Sequence, residues 1–108
     1  SMRDSSSNIT IGRAAAIIIS RVRAKIPTAT GDIYLFGSRA NGTQKSNSDY
    51  DICIFLDDAP NMPISSKQPL IEHHLQETLG ERFSVFVFVK VSGECKPTNF
   101  ATQLITNF

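Results

Sequence analysis

The chain has 108 residues, of which 41% are apolar and 19% charged, and its formal net charge is +1. This length fits one domain with a single core and excludes separate cofactor and substrate domains. The balanced charge indicates no particular partner, no apolar run approaches the roughly 20 residues of a membrane-spanning helix, and no signal-peptide pattern is present. Cys53 and Cys95 lack metal-binding or disulfide spacing, which favours reduced thiols in the cytoplasm.

Helix and strand patterns alternate along the first half of the chain. Residues 1–8 are serine-rich and are expected to be a disordered N-terminus that includes an expression remnant, with the domain spanning residues 9–108. Thr10 is a candidate N-cap for a helix that reaches about Ile26. The segment IYLFG predicts a strand ending at Gly37, and the loop over 38–48 is rich in serine, asparagine and glycine.

The second half continues this alternation. The pattern predicts a strand from about Tyr50 to Leu56, a helix from about Ser65 to Leu79 with Gly80 as its C-cap, a strand in RFSVFVFVKV and a short helix over 99–107. The order of these elements predicts an α/β (α+β) domain in which helices pack on one face of a mixed β-sheet.

Asp49 and Asp51 stand at the start of the second predicted strand. Alternate residues of a strand point to the same face, so both carboxylates lie on one side. Two such charges raise one another's pKa and destabilise the fold unless a cation neutralises them. Mg²⁺ prefers oxygen ligands and commonly bridges carboxylates and substrate phosphates, so the pair predicts a magnesium site.

A glycine–serine turn precedes this pair in the chain. Gly37 permits a tight turn and lets an anion approach the backbone. If residues 38–41 form a short helix, its free N–H groups and the Ser38 hydroxyl would face a phosphate. Each feature alone is common in loops, but a single polar loop joins them between two apolar strands. Together they predict a site for a nucleoside triphosphate and its metal.

The segments GSRANG and SDYDI resemble the signature of the DNA polymerase beta-like nucleotidyltransferase superfamily, and in particular its small stand-alone members. The resemblance implies that Gly37 and Ser38 bind the triphosphate. It also implies that Asp49 and Asp51 are the catalytic carboxylates and the Mg²⁺ ligands. Arg39 and Gly42 match further motif positions, and Arg39 could steady a phosphate. The implied reaction transfers a nucleoside monophosphate, with ATP as the expected donor, to a hydroxyl and releases pyrophosphate.

The sequence departs from that family at one position. Its members usually carry a third carboxylate near the start of the next core strand, where the alignment places Ser84. A serine is a poor metal ligand and no general base near neutral pH. Asp57 lies roughly 20 Å along the strand from Asp51, and Glu81 has the wrong parity. The alternative to an enzyme is therefore a catalytically degenerate member that binds a nucleotide or a partner, as in a toxin–antitoxin pair.

By strand parity, Phe86 and Phe88 lie on the same face as Ser84. The alternate residues of this strand, on the opposite face, are apolar too, so both faces of the sheet are apolar. Such a strand is either fully buried or part of a docking surface. Small members of the family often act with a separately encoded helical protein, so the resemblance implies such a partner or a homodimer. The basic helix over 10–26 lacks the interleaved aromatic residues of single-strand binders, and nucleic acid is not an expected partner. The His73–His74 pair lacks further ligands at zinc spacing.

Overall fold

The computed structural model describes residues 9–57, 67–90 and 102–108. Predictions for residues 1–8 and for a helix start at Ser65 lie outside the described residues. None of the described helices is long and apolar enough to cross a membrane. The elements in chain order are α1 (Ile11–Lys25), β1 (Gly31–Phe36), α2 (Ser38–Asn41), β2 (Tyr50–Asp57), α3 (Gln68–Leu79), β3 (Phe83–Lys90) and β4 (Thr102–Asn107).

Helix α1 begins and ends as its sequence predicts. The Thr10 hydroxyl accepts a hydrogen bond from the backbone N–H of Arg13 and so caps the first turn. Pro27 follows the C-cap residue Ile26, and its ring cannot continue a helix. The buried stripe of α1 faces the sheet and consists of Ala14, Ala15, Ile18 and Val22.

The four described strands form one sheet in the order β3-β2-β1-β4. Strand β1 is antiparallel to both β2 and β4, whereas β2 and β3 are parallel. Buried side chains of α1 and α3 share one core with side chains from a single face of the sheet. The predicted mixed sheet with helices on one face is confirmed. Because β1 ends where β2, β3 and β4 begin, four strand ends meet at the end of the sheet that leads into α2.

The predicted helix over 99–107 is wrong, because the described part of this segment forms strand β4. Thr102 lies opposite Phe36 and Asn107 lies opposite Asp32, so β4 pairs along the outer side of β1. The β-branched residues Thr102, Ile105 and Thr106 favour extended backbone. The strand is stabilised by pairing with residues far away in the chain, which local periodicity does not reveal.

The sheet face away from α1 and α3, here called the open face, carries Asp51 at one end, the ion pairs of Lys90 with Asp32 and Asp57 at the other, and aromatic side chains between them. Phe86 and Phe88 are 41% and 43% exposed. Phe88 stacks on Phe55 with ring centroids 5.2 Å apart, and Phe86 meets Phe36 edge-on at 5.5 Å. The opposite face is fully or almost fully buried at Ile52, Ile54, Leu56, Val85 and Val87. Of the two possibilities raised by the sequence, the structure shows a partly exposed aromatic surface.

Side chains of α3 cover the outer edge of β3. Gln76 Oε1 accepts from the Val85 N–H at 3.1 Å, and Glu72 Oε2 accepts from the Val87 N–H at 2.9 Å. Gln76 Nε2 donates to the Phe83 carbonyl and Gln68 Nε2 to the Val87 carbonyl. One helix face therefore supplies the hydrogen bonds that a fifth strand would otherwise make.

Candidate functional site

Asp49 and Asp51 lie at the end of the sheet where β1 stops. Asp51 is opposite Phe36 of β1 and Ser84 of β3, while Asp49 is exposed just before β2. Burial raises the pKa of Asp51, and the negative charge of Asp49 raises it further. The structure therefore brings the two predicted carboxylates together in the electrostatic situation that a cation would relieve.

Gly37 joins β1 to α2 and lies directly against Asp51. Its φ of 73° belongs to the left-handed region, and a Cβ at this position would overlap the Asp51 Oδ2 atom. Only glycine meets both conditions without strain. The predicted phosphate turn and the predicted metal carboxylate are thus in van der Waals contact.

The short helix α2 presents fewer free N–H groups than its sequence suggested. The N–H groups of Ala40 and Asn41 donate to the Gly37 carbonyl at 3.1 and 3.2 Å. Those of Ser38 and Arg39 stand in the first turn, where a helix offers no internal acceptor. The N–H groups of Ala40 and Asn41 are therefore engaged within the turn, which leaves the Ser38 and Arg39 N–H groups and the Ser38 hydroxyl as the candidate donors to an anion.

Gly42 ends α2 and starts the polar loop. Its φ of 81° is left-handed, and its N–H donates to the Ser38 carbonyl. Thr43 donates its own N–H to the Ser38 carbonyl at 3.0 Å and to the Asn41 side chain at 3.1 Å. Gly42 therefore closes the short helix by a backbone hydrogen bond, and its left-handed conformation sets the direction in which the loop continues.

The side chain of Arg39 extends across the polar loop to the backbone that leads into β2. Its Nε and Nη2 atoms donate to the Ser48 carbonyl at 3.1 and 2.9 Å. Nη2 also lies 3.5 Å from the Lys45 carbonyl and 3.4 Å from that of Ser46. The guanidinium carbon sits 4.0 Å from the centroid of the Tyr50 ring, a cation–π distance.

Ser84 lies near the start of β3. It lies opposite Asp51 in the parallel pairing, and its hydroxyl is 3.5 Å from Asp49 Oδ2. Asp57 is at the far end of β2, where it accepts from Thr30 at 2.6 Å and pairs with Lys90 at 3.3 Å. Across the described ranges, no three His, Cys, Asp or Glu side chains cluster as a metal site.

Two further residues lie beside the site, and one of them, Arg82, was not identified from the sequence. Arg82 donates from Nη2 to the Ser46 carbonyl at 3.2 Å, while its buried Nε atom has no hydrogen-bond partner among the described residues. Cys53 follows Asp51 on the same face, and burial, with the charge of Asp51, raises its thiol pKa to about 11. The parity of β2 predicts Cys53 on the face of Asp51, whereas nothing in the local sequence indicates the reach of Arg82.

The sequence pattern of the nucleotidyltransferase domain family matches residues 16–95, and the chain belongs to this family. A solved structure from Sulfolobus solfataricus, whose description as a nucleotidyltransferase is provisional, is similar to the chain with a TM-score of 0.52 and 19% sequence identity. The likeness covers 94% of this chain and 82% of that one, and at this identity it concerns the fold. A search of curated proteins found no match.

Proposed function

We propose that the chain binds a nucleoside triphosphate, with ATP as the expected one, together with Mg²⁺, and transfers the nucleoside monophosphate to a hydroxyl acceptor in the cytoplasm. One observation carries this proposal. The backbone of Gly37 packs against the Asp51 carboxylate, so the turn suited to a triphosphate and the carboxylates suited to its metal form one site. Membership of the nucleotidyltransferase domain family supports the same reaction class.

The residues present fit a hard divalent cation. Asp49 and Asp51 offer carboxylate oxygens, the ligand type that Mg²⁺ prefers. Burial beside a second carboxylate raises the pKa of Asp51, and a bound cation would favour its ionised form. When bound, Mg²⁺ would neutralise charge that develops on the phosphates.

The chain's own groups would hold the phosphates in line with the acceptor. The N–H groups of Ser38 and Arg39 and the Ser38 hydroxyl are the candidate donors to phosphate oxygens. The acceptor oxygen bonds to the α-phosphorus, the bond from that phosphorus to the oxygen bridging to the β-phosphate breaks, and pyrophosphate leaves with the electron pair. The acceptor proton needs a base, and Ser84 is not one near neutral pH.

Ser84 favours a second candidate function, a catalytically degenerate module that binds nucleotide or a partner. Its hydroxyl lies 3.5 Å from Asp49 Oδ2, and the residue pairs with Asp51; the resemblance calls for a third carboxylate near the start of this strand. Two carboxylates suffice to hold one metal and the phosphates, but they leave the acceptor hydroxyl without a protein base. Antitoxin-like binding would need no such base.

Thermal melts test the nucleotide site. Ligand that binds only the folded state raises stability by mass action, so millimolar Mg²⁺ with ATP should raise the melting temperature of the natural chain. Asp51→Asn should lose that rise. Asp57→Asn is the matched control, because it makes the same change at the far end of β2 and should keep the rise. If metal and nucleotide leave the melting temperature of the natural chain unchanged, the proposal is contradicted.

Nucleotide labelling separates the two candidate functions. We expect weak transfer by the natural chain and metal-dependent gain in Ser84→Asp, which supplies the third carboxylate. Ser84→Ala is the control and should gain nothing. Robust transfer by the natural chain would contradict the degenerate candidate and would require a base outside Ser84.

The open face supports a proposal about partners. Phe86 and Phe88 expose large parts of their rings, and exposed apolar patches of this kind usually mark interfaces. A second copy of the chain or a separately encoded helical protein is the expected occupant. Nucleic acid and membrane are not part of the proposal.

A further inference from the structure

We propose that Arg39 is a positioning residue whose side chain clasps the polar loop and presents Asp49 beside Asp51, and that its guanidinium is not itself a phosphate ligand. Its consequence for metal binding rests on the proposed function, whereas the clasp itself can be measured without any ligand. The role expected from the sequence was a direct contact with a phosphate.

The contacts of Arg39 fall on both sides of Asp49. Its guanidinium donates twice to the carbonyl of Ser48, the residue before Asp49. Its guanidinium carbon lies over the ring of Tyr50, the residue after Asp49, at 4.0 Å. Tyr50 in turn stacks on Phe83 of β3 with centroids 5.2 Å apart. Asp49 is exposed and precedes the strand, so its backbone is held by these bracketing contacts together with the hydrogen bond from the Tyr50 N–H to the Arg82 carbonyl at 2.8 Å.

Arg39 also ties the two halves of the site to each other. It follows Ser38 directly in α2, whose first N–H groups are the candidate phosphate donors. Its reach to Ser48 spans the loop and sets the separation between the Gly37–Ser38 turn and the carboxylates. A planar fork that makes two bonds to one carbonyl while stacking on a ring is a geometry that lysine does not reproduce.

Metal binding in the absence of nucleotide distinguishes the clasp from a phosphate contact. Removing a positive charge beside a cation site strengthens cation binding by Coulomb's law alone. A direct phosphate ligand would therefore leave the affinity for Mn²⁺ unchanged or improved when it is lost. A clasp would weaken that affinity, because Asp49 would no longer be held beside Asp51. Loss of a residue that orients a metal ligand commonly weakens binding about 10-fold to 100-fold.

Manganese titration followed by electron paramagnetic resonance, without nucleotide, is the test. Arg39→Met and Arg39→Lys are both expected to bind Mn²⁺ at least about tenfold more weakly than the natural chain. Arg21→Met, which removes an arginine from the exposed side of α1, is the matched control and should bind normally. Unchanged Mn²⁺ affinity in both Arg39 variants, with loss of ATP binding alone, would overturn the proposal and make Arg39 a phosphate ligand.

Amide hydrogen exchange on the ligand-free chain gives the second readout. The amides of residues 43–49 should exchange faster in Arg39→Met than in the natural chain, while those of β2 beyond Ile52 stay protected. If the natural chain binds no Mn²⁺, the proposed metal site is wrong. Hydrogen exchange alone then tests whether Arg39 holds the loop. Equal exchange of the loop in natural and variant chains would overturn it, and Arg39→Lys provides the comparison if Arg39→Met does not fold.

Discussion

At the scale of single residues, two aspartates on one strand are expected to influence stability with opposite signs. Burial, and then the charge of Asp49, raises the pKa of Asp51, so ionising its carboxyl costs free energy in the folded chain. A hydrogen bond from Thr30, together with the Lys90 ammonium, lowers the pKa of Asp57. The ionised carboxyl of Asp51 is destabilised by its surroundings and lies in the candidate site. The ionised carboxyl of Asp57 is stabilised and lies at the other end of β2.

Asp51→Asn is expected to raise the melting temperature of the ligand-free chain at neutral pH. Between the ordinary aspartate pKa of 3.8 and the raised one, the folded chain holds more protons at this position than the unfolded chain. The free energy of unfolding therefore falls as pH rises through that window and stays lower above it. The advantage of asparagine should disappear below the window, where both states are protonated. Metal-free melts across about pH 3 to 8 measure this.

Asp57→Asn provides the comparison of opposite sign. Its lowered pKa contributes stability that is present above the unfolded pKa and is lost as pH falls through the folded one. Because the ion pair with Lys90 is partly exposed, the variant should lose no more than about 1 kcal/mol at neutral pH. If the Asp51→Asn and Asp57→Asn substitutions change stability equally and in the same direction, the surroundings do not destabilise the ionised carboxyl of Asp51.

The residues of the candidate site differ in how far the sequence could identify them. Gly37, Asp49 and Asp51 were found because local backbone requirements and strand parity fix their places. Ser84 was singled out by alignment with the family pattern, and its place opposite Asp51 comes from the parallel pairing of β2 and β3. The direction of Arg39 and the reach of Arg82 depend on how an irregular loop closes, and irregular loops leave no periodic signal.

At the scale of elements, the same distinction explains the error at the C-terminus. The buried stripe of α1 and the run of β3 are periodic, so both were predicted close to their bounds. The segment 102–107 is short and polar and becomes a strand only because β1 offers it an edge. Partner edges lie far away in sequence, and this is why tertiary context overrides local pattern there.

The covering of β3 by α3 leads to a prediction at the same scale. Gln76→Leu keeps the side-chain size but removes the acceptor for the Val85 N–H and the donor to the Phe83 carbonyl. Unpaired part-buried backbone groups should cost about 1–3 kcal/mol, measured by urea unfolding. Gln103→Leu makes the same change at an exposed position of β4 and should cost little. Equal stability of the two variants would show that water satisfies the β3 edge as well as Gln76 does.

At the scale of the whole molecule, the two faces of the sheet are unequally covered. Helices α1 and α3 pack on one face, and the described residues of the open face leave Phe86 and Phe88 partly exposed beside the candidate site. The edge of β3 is closed to strand addition by α3, so association there would have to use the face. A contact at the open face would also lie close to Ser84, where a second chain could supply what the site lacks.

Phe88→Glu is expected to disperse a dimer and leave a folded chain. The ring is 43% exposed and stacks on Phe55, whereas its neighbour Val87 on the opposite face is buried, so the charge would meet solvent and not the core. Light scattering should report twice the chain mass of 11.9 kDa for the natural protein and a single chain for the variant. Leu70→Glu is the control, since Leu70 is 68% exposed on α3, and it should stay dimeric. A natural chain that is already monomeric would exclude the second copy and favour a separately encoded partner. A Phe88→Glu chain that unfolds would show instead that the residue belongs to the core.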